Sequence, residues 1–175
     1  LDNVDVTSAG SGVVIENQTH VTLENTVNVT AAQTAVSVAG GSTLQNRSGS
    51  GTFKSTGSTD GAIALCAADS STVTLNQYTF LAQNANGQGV IVTGSSTADL
   101  SYPTGVTGDN TIWGGKNGLY VQDATVTIHN YHIYGSTDKI AATALEGRYG
   151  VWVNSGELRL DGENHILGAL CGLRV

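Results

Sequence analysis

Charged residues, aromatic residues, cysteine and proline are all scarce in this 175-residue chain. Only 12% of the residues are charged, against about 25% in ordinary soluble proteins. The net charge is -7 and the pI is about 4.8, which argues against nucleic acid as a partner. No apolar run is long enough to cross a membrane, so we expect no membrane insertion by this segment. The remaining surface is rich in Thr, Ser, Asn and Gly, a composition typical of extracellular proteins.

The few cysteine and proline residues also limit the fold. Cys66 and Cys171 fall in different units of the repeat described below, and four such units would separate them by roughly 19 Å. Disulfide-bonded Cα atoms are at most about 7 Å apart, so we expect no bond between them. Pro103, the one proline, is predicted to lie in a loop because proline interrupts a strand ladder.

A short phrase recurs along the whole chain: a small residue, then apolar-x-apolar, then a polar turn and further strands. Its steps are 22 to 32 residues long, the spacing of a solenoid, in which each unit buries its apolar face against its neighbours. The copies begin at Gly12, Ala35, Ala62, Gly89, Gly118, Gly150 and Gly172.

Each unit contains three segments in which apolar and polar residues alternate, the pattern of a strand with one buried face. In the fifth unit they are residues 119–121, 125–128 and 132–134. Strands stacked on their copies in the next unit would form three parallel sheets, and crossover connections favour a right-handed coil. We therefore predict an all-β chain over residues 1–175, a single right-handed parallel β-helix of about six three-stranded turns.

The pattern begins and stops in the middle of a unit, so we expect a coil open at both ends and part of a longer solenoid. The alternative is end-to-end stacking of copies into a filament, because uncapped strand edges otherwise invite aggregation. The longest unit carries a loop excursion over residues 135–149. Its composition also suits a short helix capped by Thr137 or Asp138.

The repeated phrase resembles the passenger domains of autotransporters, the long secreted β-helices of Gram-negative bacteria, within the wider pectin-lyase-like solenoids. Gly89-Val90-Ile91-Val92, Gly150-Val151-Trp152-Val153 and Thr72-Val73-Thr74-Leu75 carry the resemblance. It implies a secreted, cell-surface rod that serves adhesion, aggregation, biofilm formation or virulence. The implied partners are a host or bacterial cell-surface protein or glycan, or another copy of the chain.

One row of outward positions offers a candidate ligand site. Tyr120 and Trp152 fall on adjacent turns, where they could stack on a sugar or anchor a protein partner. We name Ile91 and Tyr134 with them as candidate ligand-binding residues. The competing interpretation is that the loop over residues 136–146 covers this row. The row consists of Val14, Ser37, Ala64, Ile91, Tyr120, Trp152 and Arg174.

No catalytic or metal-binding pattern stands out. His129, Tyr131, His132 and Tyr134 cluster in sequence without further ligands at metal-binding spacing. A row of outward threonines resembles ice-binding solenoids, but Asp99, Glu157 and Arg159 interrupt it.

The carboxylates are scattered over the turns: Asp99 has no aligned neighbour, and Asp109 and Asp123 are the only weak pair for acid/base chemistry. We expect no enzymatic activity, cofactor or metal, and keep a carbohydrate-binding or carbohydrate-cleaving β-helix as the alternative.

Overall fold

The computed structural model describes residues 1–59, 61–104, 110–136 and 148–175, which form nineteen β-strands and no helix. Accordingly, the described part holds no helix long and apolar enough to span a membrane. The strands are β1 (Asp2–Ser8), β2 (Val13–Ile15), β3 (His20–Ala31), β4 (Thr34–Val38), β5 (Thr43–Asn46), β6 (Gly51–Ser55), β7 (Ile63–Ala67), β8 (Thr72–Asn76), β9 (Tyr78–Ala82), β10 (Gln88–Thr93), β11 (Thr97–Ser101), β12 (Thr111–Gly114), β13 (Asn117–Gln122), β14 (Ala124–His129), β15 (His132–Gly135), β16 (Tyr149–Val153), β17 (Gly156–Asp161), β18 (His165–Gly168) and β19 (Cys171–Arg174).

The strands are parallel and lie in two sheets. Sheet I contains β2, β4, β7, β10, β13, β16 and β19 in that order. Sheet II has twelve strands in two rows that meet in the long strand β3. Row a is β3, β5, β8, β11, β14 and β17, and row b is β1, β3, β6, β9, β12, β15 and β18. From β4 onwards, the chain visits sheet I, row a and row b in turn. The all-β prediction is confirmed, and this order is consistent with a parallel β-helix or solenoid.

Alternation along each strand produces the core. In β8, Val73 and Leu75 are fully buried while Thr72, Thr74 and Asn76 are exposed. Stacked copies of these inward positions make continuous apolar columns, and β-branched residues suit such pleated surfaces. The large buried side chains are Phe53, Phe80, Tyr78, Tyr131, Leu23, Leu44, Leu65, Leu75, Leu100, Ile112, Leu119 and Ile128.

The corner between sheet I and row a is built from left-handed backbone and buried serines. Asp69 and Ser70 have φ of 54° and 62°, and their neighbours Gly94 and Ser95 have φ of 63° and 60°. Short polar residues and glycine tolerate this region, so the corner turns within two residues. The next residue points inwards: the Ser71 hydroxyl donates to the Val38 carbonyl at 3.1 Å. Ser42, Ser71 and Ser96 form a buried stack at this corner.

The third copy of the repeated phrase lies in a different frame from the predicted one. Val36 and Val90 both pair with Leu65, so the unit begins at Ala64 and not at Ala62. Ala64, which was predicted to point outwards, is fully buried, and Cys66 occupies that outward position instead. The sequence Ala-Ile-Ala-Leu-Cys-Ala satisfies the phrase in two frames that differ by two residues. A two-residue shift leaves the alternation unchanged, so periodicity alone could not distinguish them.

Several other predictions concern connections between strands. Strand β15 ends at Gly135 and β16 begins at Tyr149. The predicted excursion therefore lies between two strands, but residues 137–147, including the proposed helix cap, lie outside the described residues. Pro103 follows β11 and lies in no strand, as predicted. Cys66 and Cys171 are free thiols on β7 and β19, four strands apart in sheet I.

Two buried tyrosines should respond oppositely to removal of the hydroxyl. Tyr131 is fully buried, and its hydroxyl donates to the Tyr78 carbonyl at 2.8 Å. The Tyr78 hydroxyl is also buried but has no hydrogen-bond partner among the described residues. We expect Tyr131→Phe to lower the free energy of unfolding by about 1 kcal/mol. Tyr78→Phe should be neutral or stabilising because it removes an unsatisfied polar atom. Denaturant titration of the two variants measures both changes, and equal losses would contradict the assignment.

The same tyrosines make stability depend on alkaline pH. Burial raises the pKa of Tyr78 to about 12 and raises the pKa of Tyr131 further. In the unfolded chain both ionise near pH ~10, so above that pH the folded state binds more protons than the unfolded state. The free energy of unfolding should therefore fall as pH rises above about 10. The slope should be shallower in Tyr78→Phe.

Candidate functional site

The predicted row of outward residues lies on sheet I, with Cys66 in the place predicted for Ala64. Consecutive pairs in the ladder are Val14 with Ser37, Ser37 with Cys66, Cys66 with Ile91, Ile91 with Tyr120, Tyr120 with Trp152 and Trp152 with Arg174. We call these seven residues the sheet I column. Small and aliphatic side chains occupy its first four positions, and aromatic and cationic side chains its last three. The parallel register thus places Ile91 and Arg174, which are 83 residues apart in the sequence, in one column.

The C-terminal part of the column is an aromatic–arginine cluster. Tyr120 and Trp152 meet edge to face with ring centroids 5.1 Å apart, and Tyr149 lies 5.4 Å from Trp152. The Arg174 guanidinium lies over Trp152 and Tyr149, at 4.8 Å and 5.2 Å from the ring centroids. It also donates to the Tyr149 hydroxyl at 2.7 Å. Cation–π contacts and edge-to-face pairs hold these side chains in one arrangement.

The cluster is accessible from one side. Tyr120 and Trp152 are half-buried and Arg174 is exposed, whereas Tyr149 is only 8% exposed. Tyr149 therefore supports the arginine from below, and the other three form the surface. The predicted cover over residues 136–146 lies outside the described residues except for Ser136.

Cys66 precedes the aromatic part of the column, next to Ile91 in the ladder. Burial raises the pKa of the Cys66 thiol, and the nearby Asp69 carboxylate raises it further. The thiol is therefore protonated at neutral pH and is a poor nucleophile. The row expected from the sequence has Ala64 at this place, so the position of Cys66 in the column was missed.

Tyr134 lies on a different surface from the other predicted site residues. It is in row b of sheet II, where it pairs with Trp113 and Leu167. Its ring centroid is 5.9 Å from that of Trp113, and its hydroxyl is 3.2 Å from Nδ1 of His132. The structure brings Ile91, Tyr120 and Trp152 together in sheet I and leaves Tyr134 outside that group.

The histidine–tyrosine cluster of the sequence is divided by the corner between rows a and b. Tyr131 points into the core, and His132 stacks with His165 in row b at 4.7 Å. His129 faces outwards from row a between two carboxylates, with Nε2 3.7 Å from Asp99 and Nδ1 3.8 Å from Asp161. In the ladder Asp99 pairs with Thr74 and Thr127, so no carboxylate is aligned with it. Its contact with His129 runs diagonally to the next strand.

Asp161 is already engaged by a stronger partner than His129. Arg159 binds it at 2.8 Å and 3.0 Å, a charge-assisted contact on the surface of row a. A groove of about 350 Å³ beside these residues is lined by Asn76, Asp99, Ser101, Tyr102, Pro103, His129 and Asn130. The two aspartates therefore flank an imidazole and do not face each other across an open bond-cleaving gap.

The remaining candidate residues for metal binding or acid/base chemistry do not come together in one site. Across the described ranges, no three His, Cys, Asp or Glu side chains are grouped to hold a metal ion. Asp123 accepts a hydrogen bond from the Ser155 hydroxyl at 2.8 Å and caps a corner. Asp109, its predicted partner, lies outside the described residues. The outward threonines of row a do line up, from Thr43 through Thr72, Thr97 and Thr125, until Glu157 ends the column.

Comparison with known proteins finds no matching family model, no matching curated protein and no matching solved structure.

Proposed function

We propose that this chain is a segment of an extracellular, right-handed parallel β-helix that acts as an adhesin or structural rod and not as an enzyme. The cyclic strand order and the uniformly parallel pairing support the coil. Parallel crossovers are right-handed in nearly all sheets, which supports its hand. The eighteen strands from β2 to β19 are the number that six three-stranded turns would contain. The resemblance to autotransporter passengers supports the bacterial cell surface as its location.

A single observation carries the adhesive function: the sheet I column ends in an accessible aromatic–arginine cluster. Trp, Tyr and Arg are the residue types that dominate binding energy at recognition surfaces. Tyr120, Trp152 and Arg174 stand side by side on a parallel sheet whose register sets their spacing. Such a surface is preorganised, so little conformational entropy is lost when a cell-surface protein or glycan binds.

Carbohydrate binding without adhesion is the second candidate, and the same cluster favours it. Half-exposed aromatic rings offer apolar faces to the C–H groups of a sugar ring. The Trp152 indole N–H makes no hydrogen bond within the described part of the chain, so it is available to a hydroxyl of a ligand. Cleavage of the sugar has less support, because Asp99 and Asp161 flank His129 on another face and do not stand beside the aromatic rings.

Adhesion of protein-coated beads to cultured cells tests the proposal. We expect wild-type beads to adhere and Trp152→Ala beads to lose most of that adhesion, since truncating a central tryptophan typically costs about 2 kcal/mol or more. Thr74→Ala, an exposed change on row a, is the matched control and should adhere normally. Equal adhesion of Trp152→Ala and wild-type beads would overturn the assignment of the contact surface. No adhesion by wild-type beads, or clumping of beads without cells, would overturn the adhesin in favour of a passive rod or a self-assembling filament.

A further inference from the structure

Charge is distributed unevenly over the faces of the molecule. The chain has 14 acidic residues and a net charge of -7, yet none of the seven strands of sheet I contains Asp or Glu. Arg174 is the one charged side chain in those strands. Row a, by contrast, carries Asp99, Glu157 and Asp161 on its strands. An anion that approaches the strands of sheet I therefore meets a cation and no carboxylate within the sheet.

The Arg174 guanidinium is positioned but not neutralised. Its flat face lies on Trp152 and Tyr149, and one N–H group donates to the Tyr149 hydroxyl. A guanidinium carries five N–H donors, and Arg174 makes no ion pair within the described ranges. By comparison, Arg47 is paired with Glu24 at 2.7 Å and Arg159 with Asp161 at 2.8 Å. The donors left over on Arg174 match the two oxygens of a carboxylate.

The size of the cluster favours a small ligand over a protein. The four column residues Ile91, Tyr120, Trp152 and Arg174 span three strand spacings, about 14 Å. A stable protein interface needs roughly 800 Å² on each partner, much more than one column of four side chains provides. One to three sugar units laid along the column would match this length. Their ring faces would rest on Tyr120 and Trp152, next to the arginine.

We propose that the sheet I column binds a carboxylated sugar, with its carboxylate on Arg174 and its ring on Trp152 and Tyr120. Binding involves no covalent step. This inference rests on the proposed contact surface and adds the chemistry of its ligand. Uronic acids and sialic acids share the required ring and carboxylate, so the experiment includes one probe of each kind.

Isothermal titration calorimetry of the protein tests the proposal with three probes: a uronic-acid oligosaccharide, a sialylated oligosaccharide and a neutral oligosaccharide of the same length. We expect binding of at least one acidic probe, at least tenfold tighter than binding of the neutral one. Arg174→Gln should reduce that binding at least tenfold, since charge-assisted bonds are stronger than neutral ones. Arg174→Lys should restore only part of it, because a lysine lacks the planar fork.

Arg47→Gln is the matched control: it removes an exposed arginine at the other end of the molecule and should leave binding unchanged. Equal binding of neutral and acidic probes, no binding of any probe, or unchanged binding by Arg174→Gln would each overturn the carboxylate assignment. These outcomes differ from failure of the adhesive function. If beads adhere to cells through Trp152 while no acidic sugar binds, the contact surface stands and its ligand has another chemistry.

Discussion

Phe80→Ala is expected to lower the free energy of unfolding by about 3–5 kcal/mol, because it removes one of the largest fully buried side chains of the core. Phe80 lies in β9, with ring centroids 5.8 Å from Phe53 and 6.2 Å from Tyr131. Phe80 lies between the other two rings: Phe53 is on β6, the preceding strand of row b, and Tyr131 immediately precedes β15. Removing the middle ring leaves a cavity whose walls are fixed by strand ladders on both sides, so the site cannot collapse to fill it.

Chemical denaturation measures this change, and the neighbouring residue supplies the control. Leu81 follows Phe80 on the same strand but points outwards and is half-buried. Leu81→Ala should cost less than half as much because less apolar surface returns to water. A loss in Phe80→Ala no greater than that in Leu81→Ala would show that β9 does not have the inward and outward faces described.

Gly114→Ala is expected to destabilise the chain by at least about 3 kcal/mol or to prevent folding. A Cβ atom at this corner would overlap the Asn117 carbonyl oxygen and lie 2.5 Å from the Gly89 nitrogen. Both are backbone atoms of ladder strands and cannot move without breaking hydrogen bonds. Gly10→Ala is the matched control, since a Cβ there would have no neighbour within 4 Å. Thermal unfolding of both variants gives the comparison, and equal melting temperatures would contradict the corner geometry.

The need for glycine at this corner differs from one repeat to the next. Ala82 occupies the same ladder position as Gly114 one repeat earlier, and there a methyl group is accommodated. Five residues separate Ala82 from β10, whereas two residues separate Gly114 from β13. Gly168 has the same two-residue connection and the same overlap with the next strand.

Connection length alone does not decide which corners need glycine. Ala31 lies two residues before β4 and carries a methyl group, whereas a Cβ at Gly135, thirteen residues before β16, would overlap the Tyr149 carbonyl oxygen.

Much of the strand pattern could be predicted because period-2 alternation and repeat spacing are both local signals. Thr72 to Leu75, for example, is a strand with two buried positions, as the alternation indicates. The frame of β7 could not be predicted in the same way, since its apolar run fits two frames. Only pairing with Val36 and Val90 assigns Leu65 to the second position of the phrase and Cys66 to the third, and pairing is a long-range property.

The candidate site could be predicted where its residues occupy the same position of the repeated phrase. Tyr120 and Trp152 are adjacent because each occupies the third position of its phrase. The support from Tyr149 was missed, because a residue at the start of a strand can turn either way and the phrase does not define its direction. The buried serine stack was missed as well. In the sequence Ser71 looks like an ordinary turn residue, although its hydroxyl donates to the Val38 carbonyl and its N–H donates to the Ser96 hydroxyl inside the corner.

The strands of sheet I from β7 to β19 are stacked in register. Without that stacking, neither the sheet I column nor its ligand surface exists. Two natural cysteines make a direct test possible. Spin labels on Cys66 and Cys171, attached at mildly alkaline pH because burial raises the pKa of the Cys66 thiol, report the separation of β7 and β19 by pulsed electron paramagnetic resonance. Four strand spacings predict a narrow distribution centred near ~19 Å between the Cα atoms, extended by the label arms. A broad distribution, or a centre beyond about twice that spacing, would contradict the stacked sheet and the contact surface built on it.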